Sequence, residues 1–222
     1  MIYTKNQRVK ANTNLTLMSD RYYKGYEVLT FKGPLIREYL DSLIATIHNA
    51  LNEYPRGFAI RFDLRFPHNW DFTKNNNPEL KRFIASLKAK IKHDRSRSDQ
   101  LYARVHDTTV RCVWANEYGQ EGKPHYHFLI LLNRDAYSTL GHFDSDLENM
   151  SSRIRGAWAS ALAITWEQSA GLVEFPKNST YRINNTEGDP ATAELVMRAS
   201  YLCKAATKQY GDRRHSFGYS RD

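Results

Sequence analysis

The sequence of 222 residues predicts an α+β fold in which a mainly antiparallel central sheet is covered by helices. Three observations lead there. Segments with apolar residues at three- and four-residue steps take turns along the chain with segments in which apolar and polar residues alternate. Two of the strand segments are joined by a short Gly-rich turn, as a hairpin requires. Neither an internal repeat nor a low-complexity tract breaks this order.

Residues 1 to about 33 are polar with scattered aromatics, Tyr22, Tyr23, Tyr26 and Phe31, and without a sustained period they read as an extended arm or short hairpin. From Gly33-Pro34 onward, Leu35, Ile36, Tyr39, Leu40, Leu43, Ile44, Ile47 and Leu51 give an amphipathic helix ended by Tyr54-Pro55-Arg56-Gly57. A strand follows, with Phe58, Ile60, Phe62, Leu64 and Phe66 on one face, Arg61, Asp63 and Arg65 on the other, and Pro67 stopping it. A second helix starts after Asn77-Pro78; it buries Leu80, Phe83, Ile84, Leu87 and Ile91 and turns a basic face outward. Strands over about 109–118 and 125–132 flank the turn Gly119-Gln120-Glu121-Gly122-Lys123-Pro124. A third helix around 147–166, a short strand near 172–175, a polar loop over 177–189 and a final helix from about 190 to 208 complete the chain. Pro190 suits a first helical position. The organisation expected is an N-terminal arm and helix over 1–54 and a main domain over 55–222, forming one compact unit.

Apolar residues make up 41% and charged residues 25%, a balance that excludes a disordered tail, a collagen-like chain or a coiled-coil rod. Lys and Arg number 32 against 24 Asp and Glu, leaving +8 and a pI near 9.4, so the expected partner is a polyanion. No apolar run is long enough to span a bilayer, the longest clear one, 128–132, being strand-sized; a membrane partner is not expected. The first residues lack the apolar core of a signal peptide, and the isolated Cys112 and Cys203 make no disulfide framework. A reducing cytoplasm and a nucleic-acid partner fit best.

The sharpest local feature is Pro124-His125-Tyr126-His127-Phe128. Histidines at i and i+2 of a strand point to the same face, where both imidazoles can hold one metal ion or simply hydrogen-bond to each other. Pairing Val110, Cys112 and Trp114 with Phe128, Ile130 and Leu132 as the core face of the hairpin puts Glu117 on the same face as His125 and His127. Two imidazoles and one carboxylate make a divalent-metal site with open positions, as polarising a phosphate oxygen requires. Glu121 and Asp63 are fallback ligands while the turn register is open, and Asp63 could instead orient a histidine.

The second feature is Tyr201-Leu202-Cys203-Lys204. In the final helix Leu195, Ala199, Leu202 and Ala206 form the apolar stripe, which leaves Tyr201 and Lys204 on the opposite side, about 60° apart. A tyrosine can serve as a nucleophile when a metal or a cation stabilises its phenolate. Alone, Tyr-x-x-Lys is expected by chance in a basic chain with 14 tyrosines, and the alternative for Lys204 is a solvated helix lysine.

Taken in order, the strand with Phe62-Asp63-Leu64-Arg65-Phe66-Pro67, the Pro-His-Tyr-His strand with an acidic residue before it, and the later Tyr-x-x-Lys resemble the three motifs of HUH-type single-strand endonucleases, the initiators of rolling-circle replication. In particular the sequence is similar to the inovirus Gp2 or YagK/YfjJ C-terminal family of phage and prophage proteins, including its closing Ser216-Phe217-Gly218-Tyr219-Ser220-Arg221. The similarity covers about residues 55–222. It implies an HUH endonuclease-like domain there, with His125, His127 and Glu117 as ligands of Mg²⁺ or Mn²⁺, Tyr201 as the nucleophile and Lys204 as its partner. Positions 197 and 205 are Met and Ala, so it implies a one-tyrosine enzyme.

The expected function is thus site-specific nicking and joining of single-stranded DNA, or of an origin hairpin, through a 5′-phosphotyrosine intermediate in a bacterial host cell. Host helicase and polymerase would act after the nick. Arg61 and Arg65 are expected either to contact DNA phosphates or to pair with acidic neighbours. Competing readings are a catalytically inactive DNA-binding regulator, a transposase or relaxase using the same chemistry, and a metal hydrolase in which water replaces Tyr201.

Overall fold

A computed structural model describes residues 7–70, 77–118, 123–142, 148–209 and 215–221. The N-terminal segment forms two small hairpins, β1 (Arg8–Val9) with β2 (Asn12–Met18) and β3 (Tyr22–Tyr23) with β4 (Tyr26–Glu27). The predicted first helix begins two residues late. Leu35 and Ile36 form β5 against β2, and α1 runs Arg37–Glu53. Both residues are fully buried, and pairing with Met18 and Leu17 draws them out of the helical register.

The main sheet contains β6 (Arg56–Leu64), β7 (Arg111–Tyr118) and β8 (Pro124–Asn133), with α2 (Pro78–Leu101) between the first two and α3 (Met150–Leu162) after the third. β9 (Val173–Glu174) pairs the end of β6. The segment 177–189, expected to be a loop, contains β10 (Thr180–Asn184), which pairs the rest of β6. Its alternation was present in the sequence: Tyr181 and Ile183 are buried while Thr180 and Arg182 face water. After α4 (Pro190–Ala199), β11 (Phe217–Tyr219) closes the other edge on β7. The resulting order is β10-β6-β8-β7-β11, antiparallel throughout. The α+β class with helices over a mainly antiparallel sheet is therefore correct.

Both faces of the sheet are covered. On one, Phe58, Ile60 and Phe62 of β6 and Phe128 and Ile130 of β8 pack against Phe83 and Leu87 of α2 and Trp158 of α3. On the other, Ala59, Val113, Leu129 and Leu131 pack under Leu40, Leu43 and Ile47 of α1 and Leu195 of α4. Each large side chain fully buried in this way contributes about 1.5–3 kcal/mol. The two-sided burial locks register, because a slip by one residue would exchange the faces.

The final helix is shorter than expected. It ends at Ala199, and a 3-10 turn over Ser200–Cys203 replaces the predicted continuation to Lys208. Contacts remote in sequence explain this: Ser200 Oγ donates to the Met197 carbonyl and accepts from the Leu29 amide, the Ala205 amide donates to Pro34, and Lys204 bridges to Leu35. Tyr201 and Lys204 therefore do not share one face of an α-helix.

At the β11 edge, Gly218 lies opposite Trp114, and a Cβ added there would sit against the indole, only 2.7 Å from its Nε1. Gly218→Ala is expected to destabilise the protein by about 1–3 kcal/mol through this overpacking. Urea unfolding measures it, and a midpoint equal to that of the unsubstituted chain would show that the ring moves aside at no cost.

Candidate functional site

Strand alternation builds the site. In β8 the side chains of Tyr126, Phe128 and Ile130 enter the core under α2 and α3, so His125 and His127 face the other way with Leu129 and Leu131. Register then sets Asp63 of β6 beside His127 and Glu117 of β7 beside His125. His127 Nδ1 lies 2.6 Å from Asp63 Oδ1, which directs its Nε2 towards Glu117 Oε2 at 3.3 Å and His125 Nε2 at 3.2 Å. Glu117, His125 and His127 each present one ligand atom, all within 4.8 Å of one another.

These spacings suit a metal ion. Donor atoms about 2.1 Å from a cation and about 90–110° apart are separated by roughly 3.0–3.4 Å, which matches both contacts of His127 Nε2. Two imidazoles and one carboxylate favour Mn²⁺ or Zn²⁺ over Mg²⁺, whose preferred ligands are all oxygen. Asp63 stands where an outer carboxylate fixes a ligating histidine. Glu121, the other fallback ligand, lies outside the described residues.

The protein's own charges balance one another here. Burial would raise the Glu117 carboxyl, but the His127 hydrogen bond and the Lys208 charge hold it down at about 2. Burial lowers His127, yet the hydrogen bonds to Asp63 and Glu117 outweigh it and push the imidazole up to about 9. His125 is shifted down by burial and then by the charge on His127. At neutral pH these protein groups keep His127 protonated and His125 neutral.

Two contributors were missed by the sequence reading. Glu117 Oε1 accepts from Thr207 Oγ1 at 2.6 Å and from Lys208 Nζ at 2.9 Å, the ammonium being completely buried. Both residues follow the 3-10 turn, where no periodicity exists to place them. Together they occupy one carboxylate oxygen and leave Oε2 facing the histidines.

Tyr201 stands next to this cluster. Its ring meets that of His127 edge to face at 5.5 Å, and both line a cleft of about 330 Å³ with Leu29, Lys32, Arg61 and Arg198. Burial, then the charges of Glu117 and Asp63, raise the Tyr201 hydroxyl above its ordinary value. Lys204 Nζ lies 5.6 Å from the ring centroid, and so does Lys32 Nζ, a second cation that the sequence reading missed. Arg61 lines the cleft, whereas the Arg65 guanidinium pairs with Glu174 at 2.5 Å.

Because its pKa rises from 6.5 to about 9, His127 contributes stability that is fully present below pH 6.5 and is lost as pH climbs through about 9. A cation using Nε2 must displace that proton, so its affinity is expected to rise about tenfold per pH unit below the shifted value. Chelator-treated protein should therefore melt at lower temperature as pH rises through this window, while the stabilisation by Mn²⁺ grows. A Mn²⁺ shift independent of pH would show that another group is displaced. Asp63→Asn and Thr207→Val are each expected to weaken Mn²⁺ binding about 10- to 100-fold by calorimetry, with Thr207→Ser restoring it. Unchanged affinity in both would remove their supporting role.

The described residues include no helix long and apolar enough to cross a membrane. No solved structure matches the chain. It is 35% identical over 197 residues to the uncharacterized protein YagK of Escherichia coli strain K12, covering 85% of this chain and 94% of that protein. It is 32% identical over 200 residues to the uncharacterized protein YfjJ of the same strain, covering 85% and 96%. The family model for the YagK/YfjJ C-terminal domain matches residues 18–220, so the match also takes in the β3–β4 hairpin, β5 and α1, which the resemblance over 55–222 left aside. By this span and these identities, the chain belongs to the YagK/YfjJ C-terminal domain family.

Proposed function

We propose that this protein is a metal-dependent enzyme that nicks and rejoins single-stranded DNA through a covalent tyrosine intermediate, acting as a replication initiator of the HUH type. The observation that carries the reading is the edge-to-face contact of Tyr201 with His127, which brings a phenol next to a set of two histidines and a carboxylate. A structural metal site has no need of a neighbouring nucleophile in an open cleft.

A divalent cation held by Glu117, His125 and His127 would polarise a non-bridging oxygen of the phosphodiester. Asp63 keeps the His127 ring oriented through Nδ1, and Thr207 with Lys208 keeps Glu117 in place. Tyr201 Oη attacks phosphorus in line; the P–Oη bond forms as the P–O3′ bond breaks, and the phenolic proton is balanced by the one the 3′-oxygen gains. The products are a 5′-phosphotyrosine and a free 3′-hydroxyl. Rejoining is the reverse, and the adduct conserves the bond energy without a nucleotide cofactor. Burial first, then the charges of Glu117 and Asp63, hold the phenol protonated, so neutralising those charges would remove part of what opposes activation of Tyr201, whose ring has Lys204 and Lys32 close by.

Labelled single strands tiling the DNA around the protein's own gene, incubated with Mn²⁺ or Mg²⁺ and run on denaturing gels, test the reading. A covalent protein–DNA band is expected, absent in Tyr201→Phe and reduced by about 10³-fold or more in His127→Ala. Cleavage without an adduct that survives Tyr201→Phe would make water the nucleophile, and binding alone across all tiles would favour a DNA-binding regulator.

A further inference from the structure

The cleft beside Tyr201 has a composition that the metal chemistry does not require. Its lining carries three basic side chains from three separate elements: Lys32 from the 3-10 turn over Thr30–Lys32, Arg61 from β6 and Arg198 from α4. Among the described residues no carboxylate lines it, although Asp63 and Glu117 act on Tyr201 and His127 from beside it. Among the described residues no acidic group pairs with Lys32 or Arg61, and Arg198 is held only by Glu194, an exposed contact at 3.0 Å one helical turn away. Like charges gathered from distant parts of the sequence repel one another, so their convergence costs stability unless an anion shares the space.

The wall that carries Lys32 is attached to the tyrosine turn itself. The Leu29 amide donates to Ser200 Oγ at 2.9 Å, the Ala205 amide to the Pro34 carbonyl at 3.0 Å, and Leu35 bridges Lys204. Next to Lys32, Phe31 is 78% exposed, the most exposed of the large apolar side chains named among the described residues. Lys32 Nζ lies 5.8 Å from the Phe31 ring centroid and 5.6 Å from that of Tyr201, so this one cation is close both to the Tyr201 ring of the cleft and to the exposed Phe31 ring, which lies outside the cleft's lining. Three cations, two without an acid partner among the described residues and the third held only by the exposed Glu194, fit successive phosphates of a chain, and an exposed flat ring near Lys32 fits an unpaired base.

We propose that Lys32, Arg61 and Arg198 form a seat for the phosphodiester backbone of a single strand at Tyr201, with Phe31 stacking on a base adjacent to the seated phosphate. This deepens the nicking reading by naming how the substrate is held, and it assigns the N-terminal segment a part in substrate binding. Phosphate contacts fix the position of the strand without reading its sequence, while the ring selects unpaired over paired bases.

Binding of a fluorescein-labelled single-stranded thymidine oligomer, followed by anisotropy against salt in the Tyr201→Phe background with chelator present, tests the seat independently of cleavage. Lys32→Ala/Arg198→Ala removes two phosphate contacts at exposed or half-exposed positions and is expected to reduce the slope of log K against log salt by about 1.4. Phe31→Ala is expected to weaken binding about 5- to 100-fold with the slope unchanged, and to reduce the preference for the single strand over the matching duplex. Lys88→Ala/Lys92→Ala on α2 is the control and should leave the single-strand slope nearly unaltered. A slope unchanged in Lys32→Ala/Arg198→Ala, or changed equally by the α2 control, overturns the seat. Full adduct formation by Lys32→Ala/Arg198→Ala with active Tyr201 also overturns it while leaving the nicking reading intact. Loss of binding as expected in a protein that never forms an adduct keeps the seat and overturns the nicking reading.

Discussion

The contact between Asp63 and His127 is the interaction on which the site depends. It joins β6 to the central strand β8 at 2.6 Å, fixes the imidazole by its Nδ1 and thereby aims Nε2 at Glu117 on β7. The arrangement needs three strands in the order β6-β8-β7 and both registers correct. A one-residue slip on either side would carry Asp63 or Glu117 to the opposite face. Such a slip is opposed by the two cores, since it would also drive Phe62 or Val113 into the wrong layer. The energy that specifies the sheet therefore also specifies the geometry in which Glu117, His125 and His127 converge.

The charges around His127 couple the two halves of the site. Asp63 and Glu117 raise the imidazole and, after burial, also raise the phenol of Tyr201, so the carboxylate that would help hold a cation and the one that orients its histidine both add to what keeps the tyrosine protonated. In the proposed reaction positive charge beside these carboxylates would remove that added part. Lys208 offsets part of Glu117 from beneath, at a buried position where an unpaired ammonium would be costly. Its pKa is lowered by burial and supported by Glu117, which ties the segment after the 3-10 turn to the sheet.

Much of this was legible in the sequence, for a definite physical reason. The period of two put Asp63 on one face of β6 and His125 with His127 on one face of β8, and pairing the apolar residues of the hairpin put Glu117 with the histidines, whereas the neighbouring of Asp63 and His127 required the β6–β8 register. The α-helical stripes of α1 and α2 were equally readable. The region after Ala199 was not, because its course is set by Ser200, Pro34 and Leu35 through contacts between residues far apart in the chain. The helical reading placed Lys204 near Tyr201 on one helix face; the two do lie close, but through a 3-10 turn followed by extended backbone. Thr207 and Lys208 carried no local signal at all, since a threonine and a lysine in a polar tail become partners of Glu117 only once the tail folds back on β7.

The position of Tyr201 is fixed from two sides. From the sheet side, Leu202 and Cys203 of its turn are buried in the layer under α1 and α4. From the other side, residues 29–35, a 3-10 turn leading into β5, are bonded to Ser200, Lys204 and Ala205, so the tyrosine turn is clamped between the N-terminal segment and the sheet. A 3-10 turn of four residues has little stiffness of its own, and without the second clamp the Tyr201 ring would be free to rotate away from His127. The N-terminal segment thus influences the site through placement of the tyrosine turn, although among the described residues it contributes neither a member of the Glu117, His125 and His127 group nor the phenol. The family match beginning at residue 18 is consistent with this: what the family shares extends beyond the motif-bearing strands to the segment that holds the tyrosine turn against them.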